Sequence, residues 1–378
     1  MMPEASVSVR LNPFKKPASE LPILKGSAPV PWSQYGHILT ERPVFTLHPL
    51  FHAGVYYVQD SSAMYVGHVF RKLALSGNER RGMRVLDLCA APGGKTTDLA
   101  SSLREALGGD FELVSNEVMK NRAGILHDNV VRWGDPNVVV TSADPAAFAR
   151  LEGYFDVIVA DVPCSGEGMF RKDPRAEAEW SPEVVTLCAA RQKRILADVW
   201  PALKEGGLLI YSTCTYETCE NDDNLRWAAS ELGGEIIPPE NEFEEYGVRM
   251  TECGNLLKVG EVPGEGQWVG ALRKTSAAGS TFSRLTDVIR PFRKTETGFD
   301  PDAPLSIVFD RDSYPCAEVD KKTALQYLHK DTITLPEAPL GYVVLTYRGI
   351  PLGFVKNIGK RCNNLLPQHR RILMDIKI

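Results

Sequence analysis

No part of this 378-residue sequence approaches the ~18 consecutive apolar residues of a membrane-spanning helix, so no membrane association is expected. The first sixteen residues carry Glu4, Arg10, Lys15 and Lys16 and lack the apolar core of a secretory signal. Eight cysteines form no C-x-x-C pair, which reads as reduced thiols in a cytoplasmic compartment. Neither Cys214 and Cys219 nor His48 and His52 have a second pair of ligands at a zinc-site spacing, so no metal is expected. Internal repeats and low-complexity tracts are missing too. At 43% hydrophobic and 24% charged residues the chain is of the ordinary globular kind, and its length predicts two or three domains at ~150 residues each. Nothing in it demands more than a monomer.

The net charge of −5 suggests no general attraction to nucleic acid. Its distribution is more informative. Seven acidic residues and one arginine lie between Glu231 and Glu252, whereas Gly341–Ile378 holds Arg348, Lys356, Lys360, Arg361, Arg370, Arg371 and Lys377 against Asp375. A basic island of this kind is either a phosphate-contacting footprint or a solvated strand edge, and composition leaves both open.

Residues 1 to about 60 are rich in proline and aromatics and read as an extended lead-in with brief strands such as Val7–Leu11. From Arg84 to Lys274, short apolar runs alternate with helical periodicity, the pattern of βαβ units around a parallel sheet. Strands are predicted at Arg84–Leu88, Glu112–Asn116, Asn137–Thr141, Phe155–Ala160, Leu208–Ser212, Glu235–Ile237 and Gln267–Leu272. Helices are predicted at Thr96–Leu107, Val118–Trp133, Pro182–Lys204 and Asn221–Leu232. Lys274–Thr281 reads as a flexible linker to a small β-rich module with a helix at Lys321–Leu328 and strands at Tyr342–Tyr347 and Gly353–Lys356. The expected division is 1–65, 66–275 and 276–378.

The first strand of the α/β region runs into Cys89-Ala90-Ala91-Pro92-Gly93-Gly94-Lys95-Thr96 just before a helix. A phosphate-binding P-loop requires glycine where Cys89 stands, so that reading is weak. A nucleoside-cofactor loop fits better, because Glu117 ends the second strand 23 positions after Gly94, near the spacing at which a carboxylate accepts both ribose hydroxyls. Asp144 ends the third strand in the equivalent place. It is a candidate for an adenine amine and equally a helix cap before Pro145.

Cys164 and Cys214 follow the fourth and fifth strands, so both thiols face one crevice, with Asp161 beside them. The other cysteines past the loop read as small core residues. Two thiols and a carboxyl group next to a nucleoside cofactor suit methylation of a pyrimidine at carbon 5. That carbon becomes nucleophilic only after a thiolate adds at carbon 6. Spacing does not decide which cysteine attacks.

These stretches resemble the Nol/Nop/Sun family of RNA 5-cytosine methyltransferases, and are most similar to its bacterial ribosomal RNA branch, the RsmF-like proteins. The likeness rests on Asp87–Thr97, Ser115–Glu117 with Arg122, Asp161–Gly166 and Tyr211–Thr215, with Ser8–Pro13 and Tyr56–Ala63 before them and Leu352–Arg371 after. It implies a Rossmann-like catalytic domain using S-adenosyl-L-methionine, an abbreviated amino-terminal RNA-recognition region and a carboxyl-terminal PUA-like RNA-binding domain. The cofactor site would comprise Cys89, Ala90, Ala91, Pro92, Gly93, Gly94 and Lys95 with Glu117, Arg122, Asp144 and Asp161. Cys214 would be the nucleophile and Cys164 would assist release, with Asp161 on the cytosine and Lys95 close to the reacting centre. Lys356, Lys360, Arg361, Arg370 and Arg371 would contact RNA phosphates. The chain departs from the family pattern at Leu256–Gly260, where relatives often carry an arginine and a Pro-His pair, and this bears on the RNA target rather than the reaction. The implied substrate is 16S ribosomal RNA. Transfer RNA methylation and an assembly factor that binds RNA on the same fold stand as alternatives.

Overall fold

A four-stranded antiparallel sheet opens the chain in place of the expected lead-in. Its strands are β1 (Val7–Leu11), β2 (Ala28–Val30), β3 (Ser33–Leu39) and β4 (Tyr56–Val58), ordered β2-β3-β1-β4. Two of them span three residues, too short to show a period-2 pattern. Tertiary pairing defines them: Val7–Arg10 lie against Gly36–Leu39, and Val9–Leu11 against Tyr56–Val58. Helix α1 (Pro49–His52) lies between β3 and β4, and α2 (Tyr65–Phe70) leads out of this sheet. The computed structural model describes residues 6–77, 81–171, 174–280, 283–292 and 299–376. Lys377, counted in the basic island, lies outside them.

The α/β region follows as β5 (Met83–Asp87), α3 (Gly94–Leu107), β6 (Phe111–Asn116), α4 (Lys120–Trp133), β7 (Val138–Thr141), β8 (Phe155–Asp161), α5 (Pro174–Glu179), α6 (Pro182–Val199), β9 (Leu203–Thr213), α7 (Asp222–Leu232), β10 (Gly234–Ile237), β11 (Arg249–Met250), β12 (Gly254–Leu257) and β13 (Gln267–Lys274). Strands β7-β6-β5-β8-β9 are parallel, and β13 joins β9 antiparallel. On its other side β13 pairs with β10 and β12, and β12 with β11. Both faces of the sheet are covered, which is why its strands read as near-continuous apolar runs. Leu86, Ile158, Leu209 and Tyr211 face a core containing Leu196 and Leu225, while Val85, Val157, Leu208 and Ile210 face one containing Phe70 and Leu99. Each such side chain contributes ~1.5–3 kcal/mol on burial. Strand order reverses between β5 and β8, so their carboxyl ends flank the crevice where ligands bind in open α/β sheets.

Two expectations are corrected. The helix predicted to reach Lys204 stops at Val199, because Pro201 has no amide hydrogen to continue it and the chain turns into β9. Within the segment read as a flexible linker, whose last residue Thr281 lies outside the described residues, Ser276 is docked: its Oγ donates to Leu232 O (2.9 Å) and accepts from Trp200 Nε1 (3.2 Å). Beyond it, Leu285 of α8 (Leu285–Val288) and Ile289 are buried in the core of the α/β region.

The last sheet contains β14 (Cys316–Glu318), β15 (Gly341–Tyr347), β16 (Ile350–Asn357) and β17 (Cys362–Asn364), in that order, with α9 (Lys321–His329) on one face. Leu325, Leu328, Val343 and Val355 share one hydrophobic core with Val9, Leu39 and Tyr56 of the amino-terminal sheet and with Val55 just before β4. The two ends of the chain are thus packed together. Among the described residues no helix is long and apolar enough to cross a membrane.

Candidate active site

The loop after β5 is gripped from three sides. Gly93 sits at φ 110°, a left-handed conformation that glycine adopts without strain, and α3 starts at the next residue. Arg122 of α4 donates to Ala91 O (2.9 Å) and Asn129 to Pro92 O (2.7 Å). From the amino-terminal sheet, Arg10 donates to Gly94 O (3.1 Å) and Thr97 Oγ1 (2.6 Å), and Tyr57 to Pro92 O (3.1 Å).

Carboxylates stand at successive strand ends. Glu117 is buried after β6, accepts from Met119 N (3.0 Å) and pairs with Arg122 (3.2 Å). Asp144 after β7 is exposed, and its side chain caps the following turn by accepting from Ala146 N (3.0 Å). Asn116, part of the Ser115–Glu117 stretch, donates to Leu88 O and Ala143 O and accepts from Thr141 Oγ1, tying the ends of three strands. Asp87 is fully buried. Burial pushes its carboxyl up to about 7, with Asp161 and Glu117 adding and Thr96 and Lys95 opposing.

At the end of β8, Asp161 accepts from Lys95 Nζ (2.7 Å) through one oxygen and from Ser212 Oγ (2.7 Å) and Gln267 Nε2 (3.0 Å) through the other. Burial works against the Lys95 charge, but Asp161, Asp87 and Cys214 outweigh it and hold the ammonium above its ordinary range. Ser212 lies inside a motif the sequence displays. Gln267 starts a strand with no motif and carried no signal.

Cys164 Sγ and Cys214 Sγ lie 3.2 Å apart. The hydrogen bond to Cys214, then burial, raise the Cys164 thiol well above its usual range. The loop carrying Cys164 is braced by Glu220, whose Oε2 accepts from Ser165 N (3.1 Å) and Gln192 Nε2 (2.6 Å). Glu167 accepts from Thr215 Oγ1 (2.7 Å) and Tyr216 N (2.6 Å), and Gly168 N donates to Cys214 O (2.7 Å), so the two cysteine loops are laced together. Cys89 is different. Burial and the carboxylates of Asp161, Asp87 and Glu117 raise its thiol, keeping it neutral.

Three family models match in chain order: the amino-terminal domain of 16S rRNA methyltransferase RsmF over residues 1–61, 16S rRNA methyltransferase RsmB/F over 73–231, and the RsmF PUA domain over 314–372. Ribosomal RNA small subunit methyltransferase F of Escherichia coli is 32% identical over 379 residues, covering 94% of this chain and 74% of that protein. The chain belongs to the RsmB/F family. The corresponding protein of Pectobacterium carotovorum is 37% identical over 260 residues, 66% of this chain, and this match spans about half (51%) of that relative's length. Among solved structures, a methyltransferase homologue from Pyrococcus horikoshii aligns with a TM-score of 0.59 at 27% identity, covering 72% of this chain and 87% of that one. NSun6 from the same organism aligns at 0.52 and 23% identity, covering 64% and 60%, and shares the fold.

In this RsmB/F-family chain, Lys356, Lys360, Arg361 and Arg371 are exposed on the carboxyl-terminal domain. Arg370 is not. Its side chain is 8% exposed and forms a two-pronged pair with Asp302 (2.8 and 3.1 Å), close to Asp128 of α4 (3.7 Å), so its charge is spent inside the protein.

Proposed function

We propose that this chain methylates carbon 5 of a cytosine in 16S ribosomal RNA, with S-adenosyl-L-methionine as methyl donor and a covalent bond between the Cys214 sulfur and cytosine carbon 6. The observation that carries this reading is the pair of sulfurs 3.2 Å apart beside the Lys95–Asp161 ion pair. The neighbouring loop fits a nucleoside cofactor. Glu117 offers a carboxylate to ribose hydroxyls, the first-turn amides of α3 have no acceptor within the helix, and Asp87 Oδ1 is buried without a hydrogen-bond partner. Bound there, S-adenosyl-L-methionine supplies an electrophilic methyl group.

We take Cys164, whose thiol the contact raises, as the hydrogen-bond donor, and Cys214, its own proton passed to solvent water, as the sulfur that attacks carbon 6. Lys95 provides the positive partner for an anionic sulfur, and Asp161, fixed by three donors, is placed to accept from the amino group of the base. Once Cys214 is bonded to carbon 6 it is no longer an anionic acceptor. The hydrogen bond that raises the Cys164 thiol is then lost, so Cys164 releases its proton to solvent water and the resulting thiolate takes the carbon-5 proton. The electron pair of that C–H bond forms the ring double bond and expels the Cys214 thiolate. A flipped base in unpaired RNA reaches such a crevice at least cost.

The test is a denaturing gel of wild type, Cys164→Ala and Cys214→Ala after incubation with ribosomal RNA and S-adenosyl-L-methionine. A protein–RNA band accumulating only in Cys164→Ala is expected. Accumulation in Cys214→Ala instead reverses the roles, and methylation by that variant removes the mechanism.

A further inference from the structure

The sheet of the carboxyl-terminal domain has an inner face, carrying Val343 and Val355, that is buried against α9 and the amino-terminal sheet. Its outer face is aromatic. Phe354 is surrounded there by Phe299, Phe309, Tyr314 and Tyr342, with ring centroids 4.8–6.4 Å away. Four of these five rings are largely covered, but Tyr342, at the edge of the group, stays 39% exposed while its ring stacks on Phe299 at 4.7 Å and 29°. Lys356 is directly opposite Tyr342 in the β15–β16 ladder, and its ammonium lies 5.5 Å from the Tyr342 ring centre.

Around this ring the surface is both apolar and basic. Leu340 and Ile358 are 73% and 47% exposed, and Lys360 and Arg361 form the adjoining β16–β17 turn, closed by Ile358 N donating to Arg361 O (3.0 Å). Leu340 reaches that turn, since a Cβ at Gly359 would meet its Cδ2 at 3.6 Å. No aspartate or glutamate occurs between Leu340 and Met374.

We infer that Tyr342 is a stacking platform for an unpaired RNA base, with Lys356, Lys360 and Arg361 taking the flanking phosphates. This rests on the RNA-directed reading above and adds to it the form of RNA that the domain holds. A ring held rigid by Phe299 loses little entropy when a base stacks on it in place of the Lys356 ammonium, and the cluster of Lys356, Lys360 and Arg361 matches a phosphodiester chain. A duplex hides its base faces and could use only the lysines and arginine. The surface therefore selects single-stranded RNA by stacking and retains it by charge.

Fluorescence anisotropy of the full chain with a labelled single-stranded RNA dodecamer, and with the same strand in a duplex, tests this. Tyr342→Ala should weaken single-strand binding by roughly 5- to 150-fold, the worth of one base–aromatic stack, without changing its salt dependence or the duplex affinity. Replacing Lys360 and Arg361 by glutamate should weaken both RNAs and flatten the salt dependence. Tyr342→Trp should keep tight single-strand binding and show fluorescence quenching on addition of RNA, which also serves if the alanine variant is poorly folded. Unchanged single-strand affinity in Tyr342→Ala, equal loss for both RNAs, or an indole signal in Tyr342→Trp that RNA leaves unquenched overturns the assignment. Because this is a binding measurement made without methyl donor, it can fail while methylation stands, and methylation can fail while it holds.

Discussion

Gln267 Nε2 lies 3.0 Å from Asp161 Oδ1, so the last long strand of the sheet supplies a donor to the carboxylate that faces the two cysteines. Gln267 is buried and Asp161 has Lys95 and Ser212 as its other donors, so the carboxylate is held from three directions. A hydrogen bond to a charged group contributes about 1.5–3 kcal/mol. Gln267→Leu should therefore lower the methylation rate by roughly 10- to 150-fold with little change in KM for the methyl donor. Gln267→Glu should be worse, since it sets a second carboxylate against Asp161. A kcat for Gln267→Leu equal to wild type would remove the positioning role.

Glu220 predicts a loss of stability. Its carboxylate is buried, accepts from Ser165 N and Gln192 Nε2, and has one oxygen without a hydrogen-bond partner, so burial raises its pKa despite those two donors. Glu220→Ala strips the acceptor from a buried amide, at a cost of about 1–3 kcal/mol for each unsatisfied group. Glu220→Gln keeps an acceptor oxygen and should lose less. Urea unfolding at neutral pH compares them, and an alanine variant as stable as the glutamine variant contradicts the bracing of the Cys164 loop.

How much of this was legible in the sequence depends on how local each feature is. The parallel strands and the cofactor loop were readable because their signal is contiguous: apolar runs end in Asp87, Asn116 and Asp161, and Gly93-Gly94 falls where a strand turns into a helix. The amino-terminal sheet was not, because three-residue strands exist only through their partners. Arg370 read as one of a basic cluster. Its actual partner, Asp302, is 68 positions away, and pairing at that range leaves no trace in local composition. Gln267 and Glu220 were passed over for the same reason, since each acts on a loop more than 50 residues earlier in the chain.

Arg10 reaches further across the fold. From β1 it donates to Gln59 Oε1 (2.9 Å), Gly94 O and Thr97 Oγ1, stacks over Trp133 at 4.8 Å and lies 3.8 Å from Asp98, with almost no exposure. The planar guanidinium reaches its three acceptors from two nitrogens held in a rigid fork, a spread that the single nitrogen of a lysine cannot match. Arg10→Lys should therefore raise the KM for S-adenosyl-L-methionine several-fold through the loosened start of α3 and leave kcat near wild type. Arg10→Leu should in addition destabilise the fold by about 3–5 kcal/mol, the usual cost of breaking a buried charged network. Steady-state kinetics with varied methyl donor check the first, thermal melts the second. A fall in kcat with unchanged KM would place the effect elsewhere.

Asp87 carries the pH prediction. Burial pushes its carboxyl up to about 7, whereas an aspartate in the unfolded chain titrates near ~3.9. Between those values the folded protein holds a proton that the unfolded chain has released, so folding takes up a proton and stability falls as pH rises. Below about pH 4 both states are protonated, and above about pH 7 both are ionised, so the contribution is flat outside the window. Its slope cannot exceed about 1.4 kcal/mol per pH unit. Asparagine at this position carries no charge and can still accept from the Thr96 hydroxyl that now donates to Asp87 Oδ2 at 2.6 Å. The stability of Asp87→Asn relative to wild type should therefore climb steadily from about pH 4 to about pH 7 and then level. Urea unfolding of both proteins across that range decides it, and parallel profiles would mean that Asp87 is ionised throughout, with Lys95 and Thr96 outweighing its burial.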